Sequence, residues 1–387
     1  MTPTDGIRTA LESNDLLGVT TFLEDTQSID QLNSGWFGMS KPPLVLAQST
    51  AMVDVLLQYG ADVTGVSEWW QSGVGLEDVS LEVATYLLHR GATVTPCAAA
   101  GLGLIAELKS LIDQDLECVD SKGCDGARPI HFARNVETAR LLIAHGSDVD
   151  VRDDDHHSTP TQWQVRDRPE VARTLLEAGA ELDIFVAVGL GDMMLVQQAV
   201  ADKPECTGFR IGGMSGDYPG IGYEGKGGTI LQWTLAFNAS PQEIALQLNH
   251  RDIYNYLMDH TSAKSKLLIA CMVGDKNLAR SILSTDPDLI GQFDNDDSSL
   301  LARACWETNR NYSAVCIMLD LGFSVDIPET NHGYSPLHNA AWDGNTDLVN
   351  LLIERGHPVN VRDPNHNCTP LGFCVYAAVE ARKTSHD

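Results

Sequence analysis

One apolar phrase ending in glycine recurs along this 387-residue chain, and it constrains the fold more than any other feature. It reads Leu351-Leu352-Ile353-Glu354-Arg355-Gly356 near the C-terminus. Relatives stand at Leu56 to Gly60, Leu87 to Gly91, Leu142 to Gly146, Leu175 to Gly179 and Met318 to Gly322. Each is an apolar helix end followed by the residue that takes left-handed dihedrals without a Cβ penalty. Spacings between such glycines of 31 (60 to 91), 33 (146 to 179) and 34 (322 to 356) residues mark a structural repeat. A second phrase precedes the first: Ser335-Pro336-Leu337-His338-Asn339-Ala340-Ala341, Arg128-Pro129-Ile130-His131-Phe132-Ala133, Ser158-Thr159-Pro160-Thr161-Gln162-Trp163 and Thr369-Pro370-Leu371-Gly372. Its hydroxyl residue caps a helix, its proline suits the first turn, and its histidine can bond back to the turn. The small alanines let paired helices approach closely.

Together the two phrases resemble the ankyrin repeat, whose period is about 33 residues. Degenerate copies, of the kind seen in bacterial members, fit the stretches from Leu11 to Leu23, Ala98 to Ile112, Val186 to Val200 and Ile269 to Leu283. The resemblance implies an all-α fold, an ankyrin-repeat solenoid of about eleven helix pairs with short β-hairpin turns. Three segments are expected: N-terminal repeats over 1–206, a Gly-rich insertion loop over 207–228, and C-terminal repeats over 229–387. Proline to glycine takes 20 residues at 336–356 but 17 at 43–60 and 129–146, so some N-terminal opening helices should be nearly a turn shorter. The chain stops at Asp387 just after an opening helix, so either a lone helix caps the stack or the natural protein continues.

Charge narrows the partners. With 26 basic and 53 acidic residues, the formal charge of −27 repels phosphate backbones and anionic lipid. No nucleic acid and no membrane are expected; a basic protein partner suits the field. The nine cysteines form no CxxC pair, and several, such as Cys271 and Cys305, sit in apolar helical runs, which reads as core in a reducing compartment. The N-terminus lacks a basic region followed by an apolar core, and no apolar run reaches membrane-spanning length, so a cytoplasmic location is expected.

Motifs that could carry chemistry do not survive their context. Gly220-Ile221-Gly222-Tyr223-Glu224-Gly225 matches a dinucleotide fingerprint, and Gly220 to Lys226 nearly matches a P-loop until Gly227 replaces the hydroxyl residue. Both need a preceding strand, and a helical segment precedes them here. Asp153-Asp154-Asp155-His156-His157 contains ligand types, but it falls where ankyrin repeats place an exposed turn tip. No nucleophile stands near a base, so no catalytic residue, metal or cofactor is nominated, and the chain is not expected to be an enzyme.

In the repeat the chain resembles, the two residues after the Ala-Ala pair face a concave groove that takes partners. Read off the copies, these include Arg166 and Asp167, Met272, Trp306 and Glu307, Trp342 and Asp343, and Tyr376. Large aromatics at such positions are typical binding anchors, and with Asp296 and Asp297 nearby they suit a segment bearing Arg or Lys among apolar residues. Trp163 and Trp233, placed just after the histidine position, are expected in the core; Trp69 and Trp70 have no assigned role. The function implied is a protein–protein interaction scaffold. Two alternatives share these features: a toxin-neutralising inhibitor of the immunity type, and an enzyme or small-molecule binder with the 207–228 loop as its lid.

Overall fold

Proline at the first turn and glycine just past the last one frame the helices of this chain. The computed structural model describes residues 3–25, 32–33, 42–64, 76, 79–212, 230–236, 239–306, 312–328 and 333–384. Among these residues the regular structure is helical, with no β-strand; the tips between repeats are tight turns. At two of them, 153–158 and 363–368, an Asp side chain takes amides of the tip. Two compact units are present. One gathers the described residues up to Leu190 together with 230–236, the other those from Gly191 to 212 together with 239–384.

The first unit contains the helix pairs Pro96–Leu102 with Ile105–Gln114, Pro129–Phe132 with Val136–Ala144, and Pro160–Gln164 with Pro169–Glu177. In the second, Pro241–Gln247 pairs with Arg251–Asp259, Ala263–Met272 with Lys276–Thr285, Leu300–Ala304 with Tyr312–Leu321, and Pro336–Trp342 with Thr346–Glu354; Pro370–Thr384 follows. The opening helix at Pro129 is four residues long and that at Pro336 seven, as the shorter proline-to-glycine count requires. The six repeat glycines all adopt φ between 93° and 101°. At Gly356 this lets the His357 N–H reach back to the Leu352 carbonyl (3.0 Å), which satisfies a helix-end acceptor.

Each unit's apolar residues string across successive helix pairs, as expected when no single repeat can bury its own face. In the second unit Leu267, Leu301, Met318, Leu337 and Leu352 form one cluster. In the first, Leu108, Ile130, Leu142 and Leu175 form another, and Leu11, Met52 and Leu56 a third.

The opening phrase works as a joint between repeats. His131 is 1% exposed, and its Nδ1 accepts the Arg128 N–H (3.0 Å). The ring proton therefore sits on Nε2, which donates to the carbonyl of Ser158, at the start of the next repeat (3.2 Å). Burial pushes the pKa of His131 down to about 4, so the ring stays neutral. His338 makes the same two bonds, to the Ser335 N–H (3.3 Å) and the Cys368 carbonyl (3.1 Å). Gln162 fills the role with an amide, accepting from Thr159 N–H and donating to Asp183. Glu243 fills it with a carboxylate that accepts the Ser240 N–H and pairs with Arg210 (2.8 Å) and Arg303 (3.1 Å). Burial would raise its pKa, but the two guanidiniums outweigh it and hold the carboxyl at about 2.

One sequence expectation changes. An opening phrase stands at Ser240-Pro241, with Asn249 (φ 62°) turning the chain into Arg251–Asp259. Trp233 lies before it in the short helix Leu231–Thr234, docked on the repeat at Pro160 by Ile230 N–H to Ser158 Oγ (3.1 Å). That docking buries Leu231, Gln232 and Leu235 and turns Trp233 outward, 58% exposed, so Trp233 is not a core residue. Trp69, Trp70 and most of the Gly-rich insertion lie outside the described residues.

Candidate functional site

Trp342 stands six residues after Pro336 and Tyr376 six after Pro370, so consecutive opening helices carry an aromatic ring at the same turn. Tyr334 precedes the Ser335 cap, and Phe373 lies one turn before Tyr376. Phe373, 7% exposed, is the hub: its ring meets Tyr334 (5.0 Å between centroids), His338 (4.8 Å) and Trp342 (5.9 Å), each edge to face. Trp342 also stacks on Tyr376 (5.7 Å). Trp306 lies within 5° of parallel to Tyr334 (6.5 Å), whose hydroxyl is 3.4 Å from His366 Nε2. These rings enclose a cavity of about 410 Å³, whose lining is completed by Cys368 and Gly372.

The residues expected from the sequence divide accordingly. Trp306 and Trp342 are half-buried and line this one cavity; Tyr376, 57% exposed, forms its rim. Asp343 is half-buried directly after Trp342. Glu307 lies outside the described residues. Met272 is only 5% exposed and belongs to the core cluster of the second unit, although it ends its helix as Trp342 does. Arg166 and Asp167 are exposed in the first unit. Tyr334, His366 and Phe373 were not anticipated. A signal existed for Phe373, which occupies the place of Trp163, three residues after the proline.

The thiols of Cys271 and Cys305 are not poised to react. Burial pushes Cys271 up to about 12 and raises Cys305 further, so both stay protonated. The acidic tip is mostly architectural. Asp153 accepts the N–H groups of His156 and Ser158 (2.9 Å) and the indole N–H of Trp163 (3.0 Å). Asp363 likewise accepts from Asn365 (3.0 Å), His366 (2.7 Å) and Cys368 (2.8 Å). Asp125, Asp155 and His156 bring ligand-type atoms within 4.8 Å of one another, close enough for a cation to bridge. Burial and the neighbouring aspartates raise Asp125, while His156 lowers it.

A family model described as ankyrin repeats, in three copies, matches residues 267–363. These residues are ankyrin repeats. Its relatives match through the repeats. The E3 ubiquitin-protein ligase KEG of Arabidopsis thaliana is 22% identical over 271 residues, 66% of this chain and 16% of that protein. The ankyrin repeat-containing protein P1E11.10 of Schizosaccharomyces pombe is 39% identical over 69 residues, 18% of this chain and 30% of its own. The ankyrin repeat and SAM domain-containing protein 6 of Rattus norvegicus is 24% identical over 132 residues, 32% of this chain and 15% of its own. The chain thus spans 30% or less of each of these relatives. Ankyrin repeats are in general protein–protein interaction modules and non-enzymatic scaffolds. Trp306, Tyr334 and Trp342 fall inside the matched ankyrin repeats, and the remaining cavity residues follow directly after them. No helix among the described residues is long and apolar enough to cross a membrane.

Proposed function

We propose that this ankyrin-repeat protein is a cytoplasmic interaction scaffold that binds another protein through the aromatic cavity of its C-terminal repeats. The observation that carries the reading is the placement of Trp306 and Trp342: both are half-buried, and both line a cavity of about 410 Å³. A ring with one packed face and one accessible face is pre-organised, so a partner side chain meets it at little entropic cost. Between 267 and 363 there are 14 acidic and 6 basic residues, which favours a partner segment that is basic as well as apolar. On this reading the chain carries about eleven helix pairs, in N-terminal repeats over 1–206 and C-terminal repeats over 229–387 with 207–228 as an insertion loop, and the partner enters the groove of the C-terminal repeats.

The test is to isolate the stoichiometric partner from native lysate and titrate it against variants. Trp306→Ala and Trp342→Ala should each weaken binding by about 2 kcal/mol or more. Stability should fall by less than the roughly 3–5 kcal/mol typical of a truncated core tryptophan. A partner that binds both variants undiminished would place its site elsewhere. The cavity also lies within the roughly 300–1,000 Å³ range of small-molecule sites, which favours an apolar metabolite as a second reading. That reading expects a small molecule to raise the melting temperature of the isolated chain.

A further inference from the structure

We propose that the aromatic cavity takes the trimethylammonium head of a methylated lysine presented by the partner protein. The inference rests on the protein-binding reading above and names the group that would enter the site. The walls are ring carbon: Trp306, Tyr334, Trp342 and Tyr376 surround the space, with Phe373 at its base. Such a surface offers π-faces, the electron-rich side of each aromatic quadrupole, which attract a cation. The most polar lining groups, the Tyr334 hydroxyl and His366 Nε2, already face one another at 3.4 Å.

Hydration decides which cation fits. A primary ammonium carries three donors and a tightly held water shell; entering a cavity of ring carbon, it would lose that shell without gaining matched acceptors. Arginine keeps five donors and faces the same deficit in part. A quaternary ammonium has no N–H donor, spreads its charge over methyl groups and is weakly hydrated, so the ring faces replace what it loses. The setting supplies a negative field: Asp343 adjoins Trp342, and acidic residues outnumber basic ones 14 to 6 between 267 and 363. A plain apolar side chain would fill the same space but gain nothing from that field. Charge and cavity therefore select the same ligand.

Three small probes test this on the full chain by calorimetric titration: N-acetyl-trimethyllysine amide, its unmethylated lysine counterpart, and the neutral carbon isostere ending in a tert-butyl group. The trimethylated probe should bind at least about tenfold more tightly than either of the others. Its binding should weaken about tenfold in Tyr376→Ala, whose exposed ring can be removed with little effect on folding. Equal binding of the isostere would overturn the proposal, because the cavity would then be a plain apolar anchor site. Tighter binding of the unmethylated lysine would overturn it in favour of a paired ammonium. Phosphocholine binding more tightly than trimethyllysine would move the source from a protein to a lipid headgroup and overturn it as well. If none of the probes binds while Trp306→Ala and Trp342→Ala still abolish partner binding, this inference fails and the protein-binding reading stands. If partner binding also survives those variants, both fail.

Discussion

The joint built on His131 and the joint built on His338 use the same carpentry to different ends. In both, a neutral histidine spans from its own opening turn to the carbonyl of the next repeat, and an aspartate accepts the amides three and five residues after it to fold the tip. In both, an aromatic ring sits three residues after the following proline, Trp163 in one and Phe373 in the other. The first is closed: the Trp163 N–H is tied to Asp153, and its ring packs edgewise on His131, Phe132 and His156. The second stays open: Phe373 has no polar atom to anchor, and Trp342 meets its ring edgewise and stacks on Tyr376. One scaffold thus produces a sealed seam at one joint and an aromatic cavity at the other.

The strongest way to break this comparison is to remove the two tip aspartates. Asp153→Ala leaves a buried Ser158 amide and an indole N–H without acceptors, and should cost about 3 kcal/mol or more. Asp363→Ala exposes amides of residues that water can reach, and about 1–2 kcal/mol is expected. Denaturant unfolding of both variants measures the gap; equal losses would mean the joints are not differently sealed.

Acid should discriminate next. His131 has a folded pKa of about 4, below its ordinary 6.5, so the unfolded chain takes the proton first. Its contribution is complete above pH 6.5 and is lost as the pH falls toward 4, by about 3 kcal/mol. His156 acts in the opposite sense. Burial disfavours its charge, but Asp153 holds its pKa above 6.5, so its contribution is present below that pH and fades as the pH rises. His131→Gln, which copies the arrangement of Gln162, should keep both bonds and flatten the acid limb. Melting temperatures from pH 7 to 4 read this directly, and an unchanged limb would assign it to other groups.

The smallest effect sharpens the open joint. Tyr376→Ala should change stability by only about 0.5 kcal/mol in thermal unfolding, because the ring is 57% exposed. A loss above about 2 kcal/mol would make the ring part of the core rather than a rim.

What could be read from the sequence was what local backbone chemistry dictates. The six glycines and the proline phrases mark their turns because dihedral and capping requirements act within a few residues. Trp342 and Tyr376 were also legible, since their spacing from a proline puts them on one face. Met272 was not: it ends its helix two residues before a left-handed glycine, as Trp342 does, yet it is buried in the core cluster, which the phrase does not encode. Trp233 was misread because a contact to Ser158, 72 residues away, sets its orientation. The grouping of Asp125 with Asp155 and His156 likewise joins neighbouring turns that share no local pattern.

The forward bond of each joint ends on a backbone carbonyl, at Ser158 in one case and Cys368 in the other. Such an acceptor is present whatever side chain stands there. For this bond only the donating repeat must keep its residue type. The Gln162 joint differs, because its forward bond ends on the Asp183 side chain and so fixes a residue type on both sides. A histidine joint therefore constrains one copy where an amide joint constrains two.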